Sequence, residues 1–79
     1  MTDAEILDGI RDVARVHLKV EREVAADTPL VEALALDSLA MLVLIAELEN
    51  RFHVCFDAGD EAGLVTVADL VTVLRRRLP

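Results

Sequence analysis

The first twenty residues have the hydrophobic spacing of an amphipathic helix. Apolar or weakly polar side chains recur at intervals of three and four, at Ile6, Ile10, Val13, His17 and Val20. This spacing places them along one face of a helix. Residues 2–5, Thr-Asp-Ala-Glu, form a capping-box pattern, in which a threonine hydroxyl and a glutamate carboxylate each accept from a backbone N–H group. We predict a helix that starts there and ends near Lys19.

The helical pattern breaks between residues 21 and 36. Pro29 disfavours helix at Thr28, because proline restricts the backbone of the residue before it. Apolar residues continue at irregular intervals, as Val24, Leu30, Val31 and Leu34. We therefore expect this long loop to be pinned across the core.

Three further helices follow in the prediction. Residues 38–52 are rich in Leu, Ala, Met and Glu and contain neither Gly nor Pro, so they should form one long helix. A short helix is expected at residues 57–62. The last helix should begin at residues 66–69, Thr-Val-Ala-Asp, whose threonine can cap it. The three arginines at residues 75–77 would complement the negative end of its dipole.

These elements predict an all-α fold: a small four-helix bundle of three main helices and one short helix, with a long loop between helices one and two. A chain of 79 residues has room for one core, so we expect a single domain over residues 1–79. Hydrophobic residues make up 54% and charged residues 29%, which is typical of a folded globular domain.

Charge and hydropathy exclude several classes of function. The net charge of −7 repels phosphate backbones, so we expect no nucleic-acid partner, and a basic protein surface is the more natural one. The longest apolar run, residues 39–46, is too short to span a bilayer. No secretory signal is recognisable at residues 1–9. We expect a cytoplasmic protein without membrane insertion.

Cys55 is the only cysteine, so it has no partner for an intramolecular disulfide. A zinc site would lack its usual thiolates, and we predict no metal site. A small buried thiol is the expected state of this residue.

Ser38 follows Asp37 at the start of the longest predicted helix, and its hydroxyl has competing roles. A nucleophile needs a base within reach. His53 should lie at the far end of the same helix, and His17 belongs to the apolar stripe of the first helix, where a partly buried, hydrogen-bonded histidine is ordinary. The Gly-any-Ser-any-Gly pattern is also absent. We predict no catalytic residue. Either Asp37 or Ser38 could simply cap the helix.

The residues around this serine resemble the signature of acyl carrier proteins. Residues 34–39, Leu-Ala-Leu-Asp-Ser-Leu, are similar to the family's Leu-Gly-any-Asp-Ser-Leu, which opens the second helix of a small acidic four-helix bundle. Residues 48–52 match the family's Leu-Glu-any-any-Phe, and residues 66–71 match the usual opening of its last helix. Asp-Ser-Leu alone is a weak motif. The three matches together cover essentially the whole chain and are specific.

The resemblance implies a carrier that is not itself an enzyme. It implies that Ser38 receives 4'-phosphopantetheine from coenzyme A through a phosphopantetheinyl transferase, and that the arm then holds acyl intermediates as thioesters. Asp37 would cap the helix, contact the transferase, or do both. Further implied partners are an acyl-loading enzyme, either an acyl ligase or an acyltransferase, and a ketosynthase or other acyl-processing enzymes. A monomer is expected. A phosphate attached at this position is physically reasonable, because the N-terminus of a helix favours an anion.

Helical geometry predicts two faces for residues 38–52. The core face consists of Met41, Leu44, Ile45, Leu48 and Phe52. The outer face consists of Leu39, Val43 and Ala46, with Ala40, Glu47 and Asn50 along its edges. We predict a partner-binding surface of Leu39, Val43, Ala46 and Glu47, apolar with a charged rim. The alternative for Val43 is packing against the first loop.

This outer face departs from the acidic helix of bacterial fatty-acid carriers and favours a dedicated carrier of polyketide or specialised-lipid assembly. Ala35, in place of the usual glycine, is a second departure. Two alternatives stay open. One is a peptidyl or aminoacyl carrier of a nonribosomal peptide or D-alanylation system. The other is a helical interaction adaptor that is never modified, for which Ser38→Ala would leave function intact.

Overall fold

The computed structural model describes residues 1–20, 24–30 and 38–78. These residues contain four helices: α1, Asp3–Leu18; α2, Ser38–Phe52; α3, Ala58–Ala62; and α4, Val67–Arg77. The prediction of an all-α bundle with three long helices and one short helix is confirmed. No helix among these residues is long and apolar enough to cross a membrane. The predictions for four residues lie outside the described residues: Val31, Leu34, Ala35 and Asp37.

The two ends of α1 are set by local signals. At the start, the Glu5 N–H donates to Thr2 Oγ1 at 3.2 Å, and the Thr2 N–H donates to Glu5 Oε1 at 3.0 Å. The second bond, from the Thr2 backbone, is the main reason that the pKa of the Glu5 carboxyl is lowered. At the end, Lys19 adopts a left-handed conformation with φ 59°, and its N–H donates to the Ala14 carbonyl. Both predicted boundaries are confirmed.

The core lies where α1, α2 and α4 meet. α1 packs against both of the other long helices. Each contributes side chains that are at least nine-tenths buried, among them Ile6, Ile10, Val13, Leu44, Leu48, Phe52, Leu70 and Leu74. The predicted stripe of α1 reaches His17 only at the surface, where the imidazole Nε2 lies 3.3 Å from Glu47 Oε2 of α2.

The connection before α2 is fastened to the start of α4. The Leu30 N–H donates to the Val65 carbonyl at 2.9 Å. In return the N–H groups of Val67 and Ala68, which have no partner within α4, donate to carbonyls of the connection at 3.1 and 2.7 Å. Val24 and Leu30 are 4% and 2% exposed. For residues 24–30, the prediction that this segment is pinned across the core is confirmed.

Cys55 lies between α2 and α3 and is exposed, so the prediction of a buried thiol is wrong. Its two neighbours, Val54 and Phe56, are half-buried and pack against the core. In a non-helical segment, successive side chains point to opposite sides. The two larger apolar residues take the inner side, which turns Cys55 toward solvent.

Candidate functional site

The N-terminal end of α2 is the first feature of the candidate site. The helix begins at Ser38, as predicted, and its first turn contains no acidic side chain. The first N–H groups of a helix have no partner within it, and the dipole is positive at this end. Leu39, the next residue, is 68% exposed. This end of α2 therefore exposes one apolar side chain, and the helix dipole there favours an anion.

Neither histidine lies at this end of the helix. His17 contacts Glu47, nine residues beyond Ser38 and about 14 Å along the helix axis. His53 follows the last residue of α2, at about 22 Å along the axis. Both imidazoles of the chain therefore lie well along α2 from its first residue. In the described part of the chain, His, Cys, Asp and Glu form no group of three that could hold a metal ion.

The inner face of α2 is the one predicted. Leu44, Ile45, Leu48 and Phe52 are buried, and Met41 is half-buried against them. These contacts fix the rotation of α2 about its axis and so determine which side chains face outward.

The outward side differs from the predicted stripe at two positions. Leu39 and Ala46 are exposed as expected, whereas Val43 is half-buried and Leu42 is 61% exposed. α1 lies along the edge of α2 that carries Glu47. Leu42, five residues earlier, is rotated about 140° from Glu47 and lies away from α1. Sequence reasoning missed Leu42 because a helical projection does not say which edge a neighbouring helix covers.

All three charged side chains of α2 are paired within the chain. Glu47 contacts His17, and Arg51 Nη1 donates to Asp12 Oδ2 of α1 at 2.7 Å. Glu49 Oε2 accepts from the Phe56 N–H at 2.7 Å. The charged side chains of α2 thus link this helix to α1 and to the segment that follows α2. The outer face of α2 is left apolar.

A separate groove of about 230 Å³ lies between α1 and α4. Its apolar lining includes Leu7, Ala26 and Val71. Asp3 and Arg75 also line it and form an ion pair of 3.2 Å. No residue of α2 lines it. The groove and the N-terminus of α2 are therefore distinct features.

Comparisons with known proteins bear on the α2 end. A family model described as "Phosphopantetheine attachment site" matches residues 5–74. The meromycolate extension acyl carrier protein of Mycobacterium leprae is 31% identical over 77 residues, which cover 96% of this chain and 67% of that protein. The acyl carrier protein of Campylobacter curvus is 31% identical over 72 residues, covering 90% and 94%. A solved structure of a Mycobacterium tuberculosis protein assigned as an acyl carrier protein superposes with a TM-score of 0.82 at 30% identity, covering 90% of this chain and 96% of that one.

Proposed function

This chain belongs to the phosphopantetheine-binding acyl carrier protein family, and on that premise we propose that Ser38 bears its 4'-phosphopantetheine arm. Proteins of this family are carriers, and their prosthetic group is covalently attached. When bound, the group supplies a terminal thiol on which an acyl group is held as a thioester. The observation that carries the proposal is that Ser38, the only serine in the chain, is the first residue of α2.

The surroundings of Ser38 fit an attached phosphate. The positive end of the α2 dipole favours a phosphodiester, and no acid in the first turn opposes it. The exposure of Leu39 leaves room for a transferase to approach. Asp37, which lies outside the described residues, is proposed to cap α2, to contact the transferase, or to do both. The chain's own part is to present the hydroxyl and to hold the anion.

The test is a measurement of intact mass. Co-expression with a broad-specificity phosphopantetheinyl transferase is expected to add the mass of one phosphopantetheine to the wild-type chain and none to Ser38→Ala. Thr72→Ala is the matched control, because it removes an exposed hydroxyl from α4 and should leave the modification intact. An unmodified wild-type chain, under conditions that modify an established carrier, would overturn the proposal and favour the unmodified adaptor.

We propose an acyl cargo belonging to fatty-acid, polyketide or specialised-lipid biosynthesis. One relative is named for meromycolate extension, which supports an acyl cargo over an amino acid. The proposed partners are the transferase, an acyl ligase or acyltransferase for loading, and a ketosynthase or other acyl-processing enzyme. Loading by an acyl ligase, and not by an amino-acid adenylation enzyme, would separate this function from that of a peptidyl or aminoacyl carrier. We further propose that the chain acts as a single-domain, cytoplasmic monomer.

The outer face of α2 is proposed to meet these partners through apolar contact. The residues proposed from the sequence were Leu39, Val43, Ala46 and Glu47. Leu42 is added to this surface because it is exposed. Val43 is half-buried and therefore offers less of its side chain to a partner. Glu47 already pairs with His17, so its carboxylate serves the bundle. A shallow apolar groove on the partner is the complement of such a surface. This chemistry supports a dedicated carrier over one that serves many basic partners.

A further inference from the structure

The short helix α3 lacks apolar anchors of its own. Of its five residues, Ala58–Ala62, only Asp60 is buried, and the other four are exposed. A helix of one to two turns is too short to persist through its internal hydrogen bonds. Its position in the fold therefore depends on polar contacts with other elements and on the residues at its two ends.

One guanidinium makes the polar contacts that join α3 to α4. Arg77 Nη2 donates to Asp60 Oδ2 at 2.6 Å and to Asp57 Oδ2 at 2.8 Å, and Arg77 Nε donates to Asp60 Oδ2 at 3.0 Å. The Asp60 side chain is only 8% exposed, whereas that of Arg77 is 38% exposed. Arg77 thus neutralises the one buried charge of α3 from the last turn of another helix.

The same two carboxylates also cap α3. The Asp60 N–H donates to Asp57 Oδ1 at 2.8 Å, and the Asp57 N–H donates to Asp60 Oδ2 at 3.1 Å. Without the guanidinium, the capping pair would consist of two negative carboxylates. One of them, Asp60, is buried and would have no positive partner. Removing the partner of a buried charge is destabilising, because the charge that is left stays buried. Opening of α3 would return that charge to water.

Apolar packing resumes on both sides of α3. Phe56 and Leu64 are half-buried and pack against the core, and the Phe56 N–H is also held by Glu49. Residues 57–63 therefore lie between Phe56 and Leu64, which are both held by the core. Detachment of this segment exposes no large apolar side chain of its own. Segments with few buried apolar contacts open at lower free energy than the rest of a domain.

We propose that residues 57–63 form a door that opens as a unit between Phe56 and Leu64, and that Arg77 is its latch. The bundle of α1, α2 and α4 stays folded when the door opens. Through its contacts with Asp57 and Asp60, Arg77 determines the fraction of molecules in which residues 57–63 are closed. This device does not depend on whether Ser38 is modified.

Amide hydrogen exchange of the full chain tests the latch. In Arg77→Gln, exchange at residues 58–64 is expected to rise at least about tenfold, since charge-assisted hydrogen bonds are lost. Exchange in α1, α2 and α4 should change by less than about twofold. Arg76→Gln is the matched control, since Arg76 is the exposed neighbour of the latch, and it should leave every region unchanged. Unchanged exchange at residues 58–64 in Arg77→Gln, or an equal rise in all four helices, would overturn the proposal.

A second variant separates the latch from any effect on α4. Asp60→Asn leaves the sequence of α4 untouched, keeps an oxygen that can cap, and removes the buried charge. It should also accelerate exchange at residues 58–64. The double variant with Arg77→Gln should exchange no more than about twice as fast as the faster single variant, because the two residues act through one contact. Accelerations that multiply in the double variant would show that the two residues act separately, which contradicts the latch.

Discussion

Phe52 lies directly against Gly9. A Cβ atom built on Gly9 would fall 2.5 Å from Phe52 Cζ and 3.2 Å from Arg51 Nε, so only glycine fits without a shift of the Phe52 ring or of α2. Glycine inside a helix costs about 1 kcal/mol relative to alanine. The close approach of α1 and α2, which buries Phe52, compensates for that cost.

Gly9→Ala is therefore expected to destabilise the chain in spite of its better helix propensity. Overpacking costs about 1–3 kcal/mol, and the gain in propensity offsets about 1 kcal/mol of it. The free energy of unfolding in urea measures the net loss. Gly63→Ala is the control, because a Cβ at Gly63 would meet nothing within 4 Å. Equal stabilities of the two variants would contradict the packing argument.

Leu30 should contribute as much as a residue within a helix. Its side chain is 2% exposed, and its N–H is bonded to Val65. We expect Leu30→Ala to lower the free energy of unfolding by about 2–5 kcal/mol. Val65 accepts that bond through its carbonyl, but its side chain is 65% exposed, so Val65→Ala should change stability by less than about 0.5 kcal/mol. A small effect at Leu30 would mean that the connection does not help to hold the core.

Acid should destabilise the fold through its capping carboxylates. Asp69 accepts from the N–H groups of Thr66 and Val65, both at 2.9 Å, and these bonds lower its pKa below the ordinary value of 3.8. A carboxyl with a lowered pKa in the folded state stabilises the fold at higher pH. That stability is lost as the pH falls from about 3.8 through the lower folded-state pKa. The pKa values of Asp57 and Glu5 are lowered in the same direction.

Unfolding free energies measured from pH 6 to pH 2 check this expectation. Asp69→Asn should be less stable than wild type near neutral pH, and the difference should shrink in acid, because the asparagine does not titrate. A constant difference across the whole range would show that the charge of Asp69 contributes nothing to stability.

The outer face of α2 should affect recognition without affecting stability. Leu42→Ala is expected to lower kcat/KM for modification by a phosphopantetheinyl transferase by about tenfold, the effect of losing most of one buried leucine contact. Glu47→Gln should leave kcat/KM unchanged, since that carboxylate faces His17. Val65→Ala controls for the loss of an exposed apolar residue elsewhere. A large effect of Glu47→Gln beside a negligible one of Leu42→Ala would reverse the proposed assignment of these two residues.

Features encoded by neighbouring residues could be predicted from the sequence. The Thr2–Glu5 capping box fixed the start of α1, and the uninterrupted run of helix-forming residues located both ends of α2. Features that depend on which elements meet could not be predicted in this way. The exposure of Leu42 depends on where α1 lies against α2. The contact of Arg77 with Asp60 joins residues 17 apart in different helices.

Gly9 is an intermediate case. A glycine within the periodic part of a helix is a local sign that something approaches closely. The sequence does not identify the approaching residue, because Phe52 comes from another helix. The serine at the start of α2 was recognised through a family motif and not through any catalytic geometry of the chain.

The exposure of Cys55 has a practical consequence for work on the phosphopantetheine-bearing protein before an acyl group is attached. A chain that bears a phosphopantetheine arm presents two reactive thiols, one at the end of the arm and one on the protein surface. Thiol titration or alkylation of that form counts both, and an oxidised dimer can be bridged through Cys55 without involving the arm. Only a chain with Cys55 replaced, for example by serine, reports on the arm alone.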